Sequence, residues 1–100
     1  MTKGILVRIR GKVQGVGLRR YVVREAVTRN ATGWVRNVSD GSVEIFLTNC
    51  TEDQAHELVS AVRQGPGTIE TVTLESYADK PIGIGFHLAP TVTIKESTSL

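Results

Sequence analysis

Apolar Ile5, Val7 and Ile9 alternate with Leu6, Arg8 and Arg10, and this period of two predicts a strand with one strongly apolar face. Gly11-Lys12-Val13-Gln14-Gly15-Val16-Gly17 follows, and its glycines mark a loop, because they admit backbone conformations that a side chain forbids. From Leu18 to about Arg29 the period lengthens. Leu18, Val22 and Ala26, with Tyr21, Val23 and Val27 beside them, recur at helical spacing among Arg19, Arg24, Glu25 and Arg29. Asn30 stands where a left-handed residue would close that helix.

A second strand is predicted from near Thr32 through Trp34, Val35 and Val38, and a third over Val43, Ile45 and Leu47, with Asp40-Gly41 as a tight hairpin turn between them. Thr51-Glu52-Asp53-Gln54 offers a capping-box start to a second helix. Ala55, Leu58, Val59 and Val62 form its apolar stripe, and Gln64-Gly65 ends it. Val72 and Leu74, set among Thr71, Thr73 and Tyr77, predict a fourth strand; Phe86 and Leu88 suggest a short fifth after the Lys80-Pro81-Ile82-Gly83 turn. The order β-α-β-β-α-β predicts an α+β, split β-α-β sandwich: an antiparallel sheet with both helices on one face. Residues 1–90 are expected to form one domain, and residues 91–100 a frayed or loosely packed C-terminal tail.

Composition narrows the function. Apolar residues make up 40% and charged residues 22%, as in a globular protein. Twelve basic and 10 acidic residues give a net charge of +2, compatible with small anions but no footprint for nucleic acid. The single Cys50 forms no internal disulfide, and His56 and His87 lie too far apart to suggest a metal site, so no metal is expected and a reducing compartment fits. Met1-Thr2-Lys3-Gly4 runs straight into a strand, and no apolar run is long enough to span a bilayer. The expected setting is therefore cytoplasmic, with no membrane partner and a monomeric state.

The loop carries the chemistry. A strand that empties through glycines into a helix N-terminus turns several unpaired N–H groups on one point, where the helix dipole adds positive charge. Gly15 and Gly17 let the backbone curl around an anion, and Arg19 in the first turn can return a planar, bidentate guanidinium to a phosphate. No Gly-Lys-Ser/Thr follows, and Gly15-Val16-Gly17-Leu18-Arg19-Arg20 lacks the third glycine of a dinucleotide fingerprint, so nucleotide binding has little support.

These residues closely resemble the acylphosphatase family, in Gly11-Lys12-Val13-Gln14-Gly15-Val16-Gly17-Leu18-Arg19, in Gly33-Trp34-Val35-Arg36-Asn37 and in Asp40-Gly41-Ser42-Val43-Glu44. The resemblance continues through Arg63-Gln64-Gly65-Pro66 and covers roughly residues 5 to 77. It departs from the family at Leu18, where phenylalanine is common, and at Asn30, where glycine is usual. It implies the ferredoxin-like form of the split β-α-β fold and hydrolysis of the carboxyl-phosphate bond of small acyl phosphates, with no metal and no cofactor. It further implies that Arg19 holds the phosphate, that the amides of Gln14, Gly15, Val16, Gly17 and Leu18 complete the cradle, and that Asn37 orients the attacking water. Inorganic phosphate or sulfate is the expected active-site anion. Two other classes compete. One is a domain that binds a phosphorylated metabolite without turnover; the other is RNA binding on the same fold, which needs exposed sheet aromatics.

Overall fold

In the computed structural model, which describes residues 1–80 and 83–94, the alternating segments pair into one sheet and both helices cover the same face of it. The elements are β1 (Thr2–Lys12), α1 (Leu18–Thr28), β2 (Thr32–Asn37), β3 (Val43–Thr48), α2 (Glu52–Val62), β4 (Thr68–Asp79) and β5 (Phe86–Leu88). Their order across the sheet is β4-β1-β3-β2-β5. The first four strands of that order pair antiparallel, as expected. β5 does not: Gly33, Trp34 and Val35 of β2 face Phe86, His87 and Leu88 in parallel register, so the sheet is mixed. Parity explains the correction. β4 runs against β1, and β1 and β2 both run against β3, so a chain that turns back after β4 arrives beside β2 pointing the same way.

Helix ends follow local rules. α1 stops in a paired motif: Asn30 adopts φ 56, its amide donates to the Val27 carbonyl, and the Ala31 amide reaches back to Ala26. α2 starts in a full capping box, with the Gln54 amide donating to the Thr51 hydroxyl and the Gln54 side chain accepting from the Thr51 amide. Glu52 and Asp53 in its first turn offset the helix dipole.

The main core lies between sheet and helices. Val7, Ile9, Val35, Val43, Ile45 and Leu47 meet Leu18, Val22 and Ala26 of α1 and Ala55, Leu58 and Val62 of α2. The far face carries a second cluster of Leu6, Trp34, Phe46 and Ala89, with Tyr77 against it. Trp34 and Phe46 are each 1% exposed, so they offer no stacking surface for bases.

Next to that cluster runs a ladder of charges. Glu44 accepts from Arg8 Nε and Nη2 at 3.2 and 2.8 Å and pairs with Arg36 Nη2 at 2.8 Å. The Arg36 guanidinium also lies 4.2 Å from the Trp34 ring centroid. Glu44 is 5% exposed, and its hydrogen bond holds the Arg8 pKa above its ordinary value. Glu44→Leu leaves Arg36 without its carboxylate and Arg8 with only Glu75, at 3.4 Å, among the described residues. A loss of about 2–3 kcal/mol in unfolding free energy is expected by urea titration, and a change under about 0.5 kcal/mol would refute the assigned role.

Residues 91–94, at the start of the expected tail, pair with the segment that follows β2. Val92 forms a parallel bridge with Val38: its amide donates to the Asn37 carbonyl and its carbonyl accepts from the Ser39 amide. The Ile94 amide then donates to Ser39 Oγ. The Thr91-Val92-Thr93 alternation is too short to announce this pairing, whose partner lies more than fifty residues away. Residues 95–100 of that tail lie outside the described residues.

Candidate active site

Gly15 and Gly17 adopt φ 72 and 84, and Gly17 is the N-cap of α1. It supplies no side chain to the first amides of the helix, and no acidic residue sits in the first turn. The contrast with the capped, acidic start of α2 is the central feature of the molecule. One helix N-terminus is closed by its own residues and the other is open to an anion. A Cβ built on Gly15 or Gly17 meets nothing within 4 Å, so the space over the loop is empty.

That space is a hollow of about 210 Å³ lined by Val13, Gly15, Gly17, Leu18, Arg19, Arg20, Asn37 and Leu88. Among the described residues two arginines and no acidic residue line it, which favours an anion. Arg19 is half-buried and makes no hydrogen bond or ion pair with any described residue. Leu18, 1% exposed, anchors the loop from beneath, and burying a leucine of that size contributes about 1.5–3 kcal/mol to holding it there.

Asn37, the last residue of β2, lies on the same sheet face as Val35 and so points to the helix side, at the open end of α1. Its Oδ1 is buried without a hydrogen-bond partner among the described residues. The hairpin beyond it is firmly set. Gly41 adopts φ 93 and its amide closes the turn on the Val38 carbonyl, while Asp40 Oδ1 accepts from the Ser42 amide and hydroxyl at 2.9 and 2.6 Å. Those bonds, the Ser42 hydroxyl first, hold the Asp40 carboxyl below its ordinary value.

The sequence named seven residues for this site, and five of them line the hollow: Gly15, Gly17, Leu18, Arg19 and Asn37. Gln14 and Val16 are not among the lining. Gln14 Nε2 instead donates to the Val38 and Ser42 carbonyls at 2.7 and 2.8 Å, so its side chain fastens the glycine loop to the hairpin that carries Asn37. Sequence reasoning counted only its amide. Val13, Arg20 and Leu88 were also missed as lining residues. Leu88 was legible in part, since Phe86 and Leu88 were read together as a short fifth strand.

A larger hollow of about 300 Å³ lies near the opposite ends of the helices, among Arg29, Asn30, Asn49, Cys50, Gln54 and Glu57. Its arginine is bound to Glu25 at 3.1 Å, and the adjoining α2 terminus is already capped, so it lacks the features that attract an anion. Burial pushes the Cys50 thiol up, which keeps it protonated and a poor nucleophile.

Among the described residues no group of three or more His, Cys, Asp or Glu is placed to hold a metal ion, and no helix is long and apolar enough to cross a membrane. Residues 5–88 match the family model described as Acylphosphatase, which extends past the sequence motifs to the end of β5. The chain is similar to the acylphosphatase of Nitrobacter winogradskyi, 43% identical over 76 residues that make up 76% of this chain and 73% of that protein. It is also similar to the acylphosphatase of Caldivirga maquilingensis, 40% identical over 93 residues, with 88% and 97% of the two chains covered. Its fold is similar to the crystal structure of acylphosphatase from Bacillus subtilis, with a TM-score of 0.73 at 30% identity over 89% of this chain and 99% of that one.

Proposed function

Because the chain belongs to the acylphosphatase family and hydrolyses acyl phosphates, we propose that it does so with Arg19 and the amides of residues 14–18 holding the phosphoryl group and Asn37 orienting the water. The observation that carries this reading is the uncapped start of α1, which shares one hollow with an arginine and an asparagine Oδ1 that bond to no described residue. Phosphoryl transfer needs little covalent help from a protein. What it needs is alignment of the two oxygens in line with phosphorus, and fixed donors where negative charge gathers on the equatorial oxygens. The glycine loop and Arg19 supply the donors.

Asn37 supplies the alignment. Its Oδ1 accepts a hydrogen bond from water and turns a lone pair of that water toward phosphorus, without the asparagine itself ionising. Attack breaks the bond between phosphorus and the bridging oxygen. The carboxylate leaves as a stable anion, and the water's proton passes to a phosphoryl oxygen, so no histidine or cysteine takes part. The products are a carboxylate and inorganic phosphate.

In the same reading the protein works as a cytoplasmic monomer and without a metal ion. Two measurements test the shared phosphate cradle and the metal-free chemistry. Inorganic phosphate is expected to inhibit competitively against acetyl phosphate, since product and substrate share the cradle. Dialysis against a chelator is expected to leave kcat unchanged, and a loss of activity restored by a divalent cation would overturn the metal-free mechanism.

A further inference from the structure

A second hollow opens beside the first, lined by Gly17, Arg20, Tyr21, Arg24 and Pro66. The two share Gly17 and Arg20, and the ridge between them is a glycine over which an added Cβ would meet no atom within 4 Å. A group leaving the phosphate cradle on this side therefore crosses bare backbone. Tyr21 forms the floor: its ring occupies the space that a side chain at residue 65 would need, with Cδ2 2.5 Å from a Cβ built on Gly65. The Arg24 guanidinium lies 4.9 Å from the centroid of the same ring, held there by cation–π attraction.

Two cations face this hollow, and among the described residues no acidic one lines it. Arg20 makes no hydrogen bond or ion pair with a described residue. Among the described residues Arg24 has one acidic neighbour, Glu25, at a loose 3.7 Å, and Glu25 is engaged more closely by Arg29 at 3.1 Å. The track of Arg19, Arg20 and Arg24 thus carries more positive charge than one phosphoryl group requires.

We propose that this second hollow is a subsite for an anionic group on the acyl part of the substrate, so that the protein prefers acyl phosphates ending in a carboxylate or a phosphate over neutral ones. The inference rests on the hydrolytic reading above and names the substrate class for it. The acyl carbonyl stays at the mouth of the cradle, the acyl chain crosses Gly17, and the distal anion meets the forks of Arg20 and Arg24.

The test compares kcat/KM for three compounds of matched length: butyryl phosphate, succinyl phosphate and 3-phosphonopropionyl phosphate. The protein is expected to favour one or both charged compounds roughly fivefold or more through a lower KM, with the margin shrinking in 1 M salt as exposed charges are screened. Which of the two is favoured identifies the anion. In the variant carrying Arg20→Gln and Arg24→Gln the ratio should fall to about one. The ratio is taken within one sample, so it does not depend on the fraction of the variant that folds. Equal kcat/KM for all three compounds, or a preference that survives both substitutions, overturns the subsite alone. Failure to hydrolyse any of the three overturns the hydrolytic reading with it.

Discussion

Arg19→Lys is expected to lower kcat/KM by about a hundredfold to a thousandfold, the range seen when one preorganised donor to a developing oxyanion is lost. The charge is kept, so Coulomb attraction alone cannot decide the outcome. A lysine offers one strongly hydrated ammonium on a flexible stem, whereas arginine presents a planar fork that meets two phosphoryl oxygens at once. The same variant should lose competitive inhibition by inorganic phosphate, because Arg19 binds the group common to substrate and product. Its melting temperature should not move, since Arg19 makes no hydrogen bond or ion pair with a described residue and the fold surrenders no contact of that kind. Activity and phosphate inhibition both within about threefold of the parent would remove Arg19 from the cradle.

The placement of Arg19 was readable because the cues are local. A period of two gives way to glycines and then to a period of 3.6, and those changes alone set an arginine in the first turn of an uncapped helix. Asn30 and the Thr51 capping box were legible for the same reason, as each acts within a few residues of itself. Features that depend on distant partners were hidden. Alternation sets Glu44 on the face away from the helices, yet only the pairing of β3 with both β1 and β2 brings two arginines over it and buries it. Gln14 reads as a polar loop residue until the hairpin carbonyls of Val38 and Ser42 come within reach of its amide. The parallel course of β5 likewise follows from the directions of the other strands, not from any residue inside it.

The latch through Gln14 also bears on how Asn37 and the loop act together. One side chain bonds to both ends of the hairpin turn, so the end of β2 and the glycine loop keep a fixed separation although they belong to different segments. Fixed separation is what in-line attack demands, where a misplacement of about 1 Å costs on the order of a hundredfold in rate.

Asn37→Ala should therefore behave quite differently from Arg19→Lys. Phosphate inhibition should persist unchanged, because Arg19 and the loop amides remain, while kcat falls by about a hundredfold or more as the water loses its acceptor. KM should hold steady for the same reason. Stability supplies an independent readout. Asn37 Oδ1 bonds to no described residue, so its removal breaks no protein hydrogen bond at that atom and should leave the variant about as resistant to urea as the parent. A structural asparagine predicts the reverse, with lost stability and little change in kcat. The pH–rate profile separates the chemistry further: neither His56 nor His87 lines the hollow, so the parent should show no bell-shaped optimum near neutrality. Unchanged kcat in the alanine variant, or a neutral optimum that vanishes on replacing a histidine, would assign the water to another group.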